Sequence, residues 1–314
     1  MKKISEAALR IEGQPMFKLL DKAKRLESEG RDILHFEIGD PDFNTPPNVI
    51  DTACASLKNG DVHYTSSKGL MEFRRVICEA TKHSRGFLPD IEQVLVVPGA
   101  NMAIFYAIFC LVDPGDEVIV PNPGFPTYYS VLKMCGVKAV EIPLREENAF
   151  RMNPEDIEQR ITEKTRLIII NSPQNPTGAV MTPDEIEAVY KIAKKHDVYI
   201  YSDEIYARMQ YEGLMFSSPS AFDKCREYTI VANGFSKAFA MTGWRLGALV
   251  GPPEVIERME MLLQTTSSCV SPFIQKAGIE AIIGDQSVVL KMVKEYEERR
   301  NLLVDGLNSI DGIS

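Results

Sequence analysis

At 314 residues the chain is long enough for one large domain and a smaller one. A hydrophobic share of 45% and a charged share of 25% are those of a soluble globular protein, and no apolar run reaches the length of a membrane span. The formal charge of −9 argues against nucleic acid or an anionic membrane as partner, although a local cleft can still bind a small anion.

Residues 14–29, with Phe17, Leu20 and Ala23 at helical spacing, predict an amphipathic helix stopped by Gly30. Ile33–Ile38 reads as a short strand. It runs into Gly39-Asp-Pro-Asp-Phe-Asn-Thr-Pro-Pro47, whose prolines predict an extended, turning backbone. Such a turn can offer a peptide N–H to a ligand or be a plain connector. A polar loop from His63 to Leu70, containing Tyr64, precedes a helix over about 70–83.

From residue 94 the pattern becomes alternating α/β. Apolar strands are predicted at 94–97, 117–120, 138–142, 167–171, 198–202, 228–232 and 246–250, with helices near 102–111 and 183–195. Leu167-Ile-Ile-Ile170 is apolar throughout, as in a strand buried on both faces. The expected fold is therefore α/β: a large domain with a mostly parallel mixed sheet covered by helices on both faces. Beyond Pro252 the chain reads as helices, the last near 285–305 with Val288, Val289, Met292, Val293, Tyr296, Leu303 and Leu307 forming an apolar stripe.

In such sheets ligands bind outside the carboxyl ends of the strands, so the loops that follow them carry the functional candidates. After the first strand, Gly99-Ala100-Asn101 opens a helix whose N–H groups can meet a phosphate. After the fourth comes Ser172-Pro-Gln-Asn-Pro-Thr-Gly178 with Asn175, and after the fifth Asp203-Glu-Ile-Tyr206. The sixth leads to Ser236-Lys237 and, eight positions on, to Arg245 beside the single tryptophan, Trp244. No acidic residue occurs from Val231 to Gly247, and apolar burial or a neighbouring cation leaves an amine uncharged and nucleophilic. A solvated surface lysine is the alternative.

The six cysteines lack CxxC spacing and the four histidines form no HxxxH pair, so reduced thiols and no metal site are expected. Neither GxGxxG nor a P-loop occurs. The start, Met-Lys-Lys, has no apolar region after it, which reads as cytoplasmic.

Taken in order, Gly39–Pro46, Tyr64 ahead of Gly69-Leu70, Pro121–Tyr128, Asn171–Gly178, Ser202–Tyr206 and Ser236–Gly247 resemble the class I/II aminotransferases. These are pyridoxal-phosphate-dependent enzymes of fold type I, and aspartate aminotransferase is among them. The resemblance implies that Lys237 carries the cofactor as a Schiff base and moves the substrate proton, and that Asp203 pairs with the pyridine nitrogen. It also implies Tyr206 and Asn175 on the ring oxygen and Phe125 against the ring face. Arg245, Ser236 and Gly99-Ala100-Asn101 would hold the phosphate. Tyr64 would reach the phosphate across a homodimer interface, and the Gly39 backbone, with Asn175, would meet the substrate. The amino donor is an L-amino acid and the acceptor a 2-oxo acid.

Two positions depart from that pattern. Gly234 stands where many relatives have a hydroxyl residue, and Asn101 where some relatives acting on acidic substrates have lysine. The implied domains are residues 1–45 joining the small domain, a cofactor-binding domain over 46–284, and the start of the small α+β domain over 285–314. That domain reads as incomplete at its C-terminus, with no counterpart to the family's substrate-carboxylate arginine. A carbon–sulfur β-lyase on the same scaffold and a non-catalytic cofactor-binding fragment are the other expectations.

Overall fold

The structure, a computed structural model, describes residues 2–214 and 216–313. A short helix α1 (Glu6–Leu9) and the amphipathic α2 (Pro15–Ser28) come first, then α3 (Pro47–Lys58) and α4 (Met71–Arg85). The alternating region runs β1 (Val94–Val97), α5 (Ala100–Leu111), β2 (Glu117–Asn122), α6 (Pro126–Cys135), β3 (Lys138–Pro143), α7 (Pro154–Glu158) and β4 (Thr165–Asn171). It continues through α8 (Pro183–His196), β5 (Tyr199–Asp203), α9 (Ser220–Asp223), β6 (Thr229–Gly234) and β7 (Gly247–Val250). Three helices follow: α10 (Pro253–Ser267), α11 (Pro272–Ile283) and α12 (Ser287–Asn308).

The seven strands form one sheet in the order β1-β7-β6-β5-β4-β2-β3. Only β7 runs antiparallel to its neighbours, pairing Gly247 with both Gly234 and Val97. The carboxyl ends of β1, β2, β4, β5 and β6 therefore lie along one edge of the sheet. Side chains alternate across the pleat. Leu95, Val97, Leu167, Ile169 and Ile230 pack on α5, α6 and α10. Val94, Val96, Val231 and Val250 face α3, α4 and α11, while Ile119, Ile168, Ile170 and Ile200 pack on α8. Each isoleucine of β4 is at most 1% exposed, and such burial stabilises by about 1.5–3 kcal/mol per side chain.

Three readings need correction. Ile33–Ile38 is not a strand: no strand of the sheet lies beside it, and Leu34 and Phe36 are 81% and 84% exposed. An extended segment without a partner has no ladder to stabilise it. In α2, Leu20 and Ala23 turn inwards as predicted, but Phe17 points to solvent. The stripe on α12 is covered only in its first half. Val289 and Met292 are buried and Tyr296 packs edge-on against Phe43, whereas Leu303 and Leu307 are exposed.

Candidate active site

Register brings the functional loops together. Asn171 at the end of β4 lies beside Asp203 at the end of β5, and Asp203 lies beside Ala232 in β6. Between β6 and β7 sits the turn that carries Ser236, Lys237 and Arg245. Because β1 pairs with β7 on its far side, Gly99 and the first turn of α5 reach the same edge.

Asp203 is 4% exposed. Its Oδ2 accepts from the Tyr128 hydroxyl at 2.7 Å and its Oδ1 from the Ile205 N–H at 3.3 Å. Among the described residues no cation pairs with it, so burial pushes its carboxyl up to about 6 against the help of those two donors. A buried carboxyl that lacks a cation is suited to receive one. Asn171 braces the same strand end by donating to the Asp203 carbonyl at 3.1 Å and accepting from the Asn175 N–H at 2.8 Å. Asn175 in turn donates from Nδ2 to the Tyr206 hydroxyl at 3.4 Å. Burial, with the nearby Asp203 charge, holds the Tyr206 phenol protonated to about 12.

Lys237 is half-buried, and its Nζ donates to the carbonyl of Gly39. Burial lowers its ammonium pKa and the Arg245 charge lowers it further, against the opposing pull of Asp40. Arg245 adopts a left-handed φ of +53° and donates from Nη1 to the Thr242 carbonyl at 2.8 Å. Its guanidinium lies against Gly99, where a Cβ would come within 2.4 Å of Nη2. Gly99 itself has φ +85°, so it is needed both for the turn and for the close approach. The adjoining N–H groups of Ala100 and Asn101 belong to the first helical turn and have no intrahelical acceptor. Together with Arg245 they make a compact anion-binding corner.

Ser236 is buried in the same turn, and Phe125, at the start of α6, stands edge-on to Tyr128 with ring centres 5.7 Å apart. Gly234 is closely packed: a Cβ there would lie 2.8 Å from Ile205, so a hydroxyl side chain has no room unless Ile205 moves. Gly39 meets the site through its carbonyl. Tyr64 stands apart from the others, 88% exposed. Two residues without individual sequence signals belong to the neighbourhood. Tyr128 sits one helical turn after Phe125 and reaches Asp203 from α6, and Asn171 links two loops. A cavity of about 890 Å³ lies behind this cleft, lined by Arg85, Glu204, Ile205, Phe235 and Phe239 rather than by Lys237 or Asp203. Among the described residues no cluster of His, Cys, Asp or Glu can hold a metal ion, and no helix is long and apolar enough to cross a membrane.

The residues present suit pyridoxal phosphate. A buried carboxyl without a cation, an anion corner at a helix N-terminus and a half-buried amine of lowered pKa match its three reactive ends: ring nitrogen, phosphate and aldehyde.

Comparison with known proteins agrees. The family described as aminotransferase class I and II matches residues 31–314. An aspartate aminotransferase of Musicola paradisiaca is 36% identical over 314 residues, covering all of this chain and 78% of its own length. An aspartate aminotransferase of Pyrococcus horikoshii is 39% identical over 99% of this chain and 78% of its own. An asparagine–oxo-acid transaminase of Streptococcus mutans is 38% identical, covering 99% and 80%. Among solved structures, an aspartate aminotransferase from Rhizobium meliloti superposes with a TM-score of 0.94 at 31% identity, covering 99% of this chain and 78% of that one. An aspartate aminotransferase from Thermus thermophilus with maleate gives 0.94 at 34%, covering 98% and 81%.

Proposed function

This chain belongs to the class I and II aminotransferases, which are pyridoxal-phosphate-dependent, and on that premise we propose how its own residues serve transamination. The single observation that carries the reading is Asp203, a carboxyl 4% exposed with neutral donors and, among the described residues, no cation. When bound, pyridoxal phosphate supplies a protonated ring that draws electrons from the substrate α-carbon.

Asp203 holds the proton at the ring nitrogen, and the Tyr128 hydroxyl fixes which carboxylate oxygen is free to do so. Arg245, with Ser236 and the first-turn N–H groups of Ala100 and Asn101 beside Gly99, binds the phosphate. Asn175 and Tyr206 would donate to the ring oxygen, and Phe125 would stack on one ring face. Lys237 would be the covalent anchor and, once released, its amine would serve as the base that carries the substrate Cα proton. Burial lowers its ammonium pKa and the Arg245 charge lowers it further, which favours the neutral, nucleophilic form. The Gly39 backbone and Asn175 meet the substrate.

The donor proposed first is aspartate, supported by the names of the relatives, with 2-oxoglutarate as acceptor. Asn101 in place of a cation supports only modest selectivity for a second carboxylate. The reading extends to a cytoplasmic homodimer in which Tyr64 completes the partner's phosphate site; the solvent-facing ring supports that. Two of the three buried apolar clusters lie wholly between Leu95 and Leu263, which supports 46–284 as the cofactor-binding unit, with 1–45 and 285–314 assigned to the small one and Val289 of the latter packing on the third cluster.

The test is a half-reaction. Protein loaded with pyridoxal phosphate is mixed with aspartate and no acceptor. The cofactor absorbance is expected to pass to that of its amine form and to recover when 2-oxoglutarate is added. Absence of that change with every common amino acid overturns the reading.

A further inference from the structure

Arg85 and Glu204 form an ion pair in which the side chains are 6% and 2% exposed. Arg85, at the end of α4, donates to Glu204 Oε2 from Nε at 2.8 Å and also from Nη2. The same Nη2 donates to Asn233 Oδ1 at 2.9 Å, and Nη1 to Ser84 Oγ at 2.6 Å. Glu204 Oε1 accepts from the hydroxyls of Ser202 at 2.8 Å and Ser218 at 2.5 Å. Every strong polar atom of the pair is engaged. A buried ion pair is seldom more stabilising than apolar residues of the same volume, so stability alone is a weak reason for one.

Its location supplies a better reason. Glu204 follows Asp203 directly, and alternation across the pleat sends the two side chains to opposite faces of the strand end. Asn233 lies four residues before Lys237 and follows Ala232, the register partner of Asp203. We propose that Arg85 and Glu204 are positioning residues for the cofactor site. Arg85 cancels the Glu204 charge so that Asp203 can ionise towards the cleft, and its bond to Asn233 joins the strand ends that carry Asp203 and Lys237. The inference rests on the cofactor reading above.

The groups that face Asp203 are Tyr128 from α6, Tyr201 on its own strand and Tyr206 beyond it, all phenols held protonated by burial. Around the ion pair stand Arg208, the buried Cys225 thiol and, along the cavity, His83 and Glu79. The Glu204 charge already opposes ionisation of Asp203 with Arg85 in place; without Arg85 it does so unscreened, and Asp203 keeps its proton to higher pH. A positively charged ring nitrogen needs the carboxylate, so cofactor binding weakens on the acid side.

The experiment follows pyridoxal phosphate binding from pH 5 to 8 by quenching of Trp244, the only tryptophan, which adjoins Arg245. In the unsubstituted protein, affinity is expected to fall on the acid side with a midpoint near 6. Arg85→Met moves that limb up by about one pH unit, so that binding is about threefold weaker midway between the two midpoints and approaches about tenfold weaker at pH 5, with the alkaline plateau kept. Arg85→Lys and the double variant Arg85→Met/Glu204→Gln bring the limb back. Should Arg85→Met not fold, Glu204→Gln alone moves the limb below that of the unsubstituted protein. Affinity lowered equally at all pH values, or a limb unmoved by any variant, reduces the pair to a structural role and overturns the inference alone. No saturable binding by the unsubstituted protein overturns the cofactor reading, and this inference with it.

Discussion

Asp203 carries a measurable conflict between stability and function. Its carboxyl is about 6 in the fold against an ordinary 3.8, so the group stabilises the fold below about pH 4 and that contribution is lost as pH rises through 6. At neutral pH the difference of about two units costs the cofactor-free protein roughly 3 kcal/mol. Asp203→Asn keeps an oxygen for the Tyr128 hydroxyl and removes the charge. It is expected to raise the stability of the cofactor-free protein at pH 7 by about 1–3 kcal/mol, read by urea unfolding, and to flatten the stability change between pH 4 and 6. The same substitution should lower kcat by about a hundredfold or more, because the charge proposed to face the ring nitrogen is lost. Equal stability at pH 7 would remove burial as the cause of the shift. For Lys237, proposed to move the substrate proton, Lys237→Ala should cut kcat by about 10²–10⁴ while leaving the fold intact by circular dichroism.

At the scale of elements, the close approach of Gly99 at the start of α5 to Arg245 makes the anion corner possible. Gly99→Ala places a Cβ within 2.4 Å of Arg245 Nη2 at a left-handed φ, so the guanidinium must move. Affinity for pyridoxal phosphate is expected to fall at least about tenfold, and affinity for unphosphorylated pyridoxal hardly at all. Equal losses for both ligands would place the anion corner elsewhere. The strands were readable from sequence because parallel strands buried on both faces are short runs of Val, Ile and Leu, as in Leu167–Ile170. The site loops were readable for the same reason, since they follow those runs. Helices α3 and α6 were not. Pro47 reads as part of a turning backbone and Pro126 carries no helix signal, yet each occupies the first position of a helix, where its missing N–H costs nothing. Tyr128 to Asp203 and Arg85 to Glu204 join residues 75 and 119 positions apart, and no local pattern encodes such pairs.

For the whole molecule, the arrangement is one sheet whose carboxyl edge gathers loops from β1, β4, β5 and β6, with β7 turned back to bring Gly247 beside Gly99. Tyr64 remains outside that gathering. In the proposed homodimer, Tyr64→Phe lowers pyridoxal phosphate affinity by about tenfold or more, the scale of one hydrogen bond to a charged group. A heterodimer of Tyr64→Phe with Lys237→Ala subunits should retain one fully formed site; sedimentation of the unsubstituted protein as a monomer would contradict the shared site. The central claim is that Lys237 both anchors the cofactor and moves the substrate proton. Borohydride reduction of the protein loaded with pyridoxal phosphate, followed by digestion and mass spectrometry, tests it most directly. The account predicts one pyridoxyl-modified peptide, bearing the label on Lys237; a label on any other lysine, or none, contradicts it.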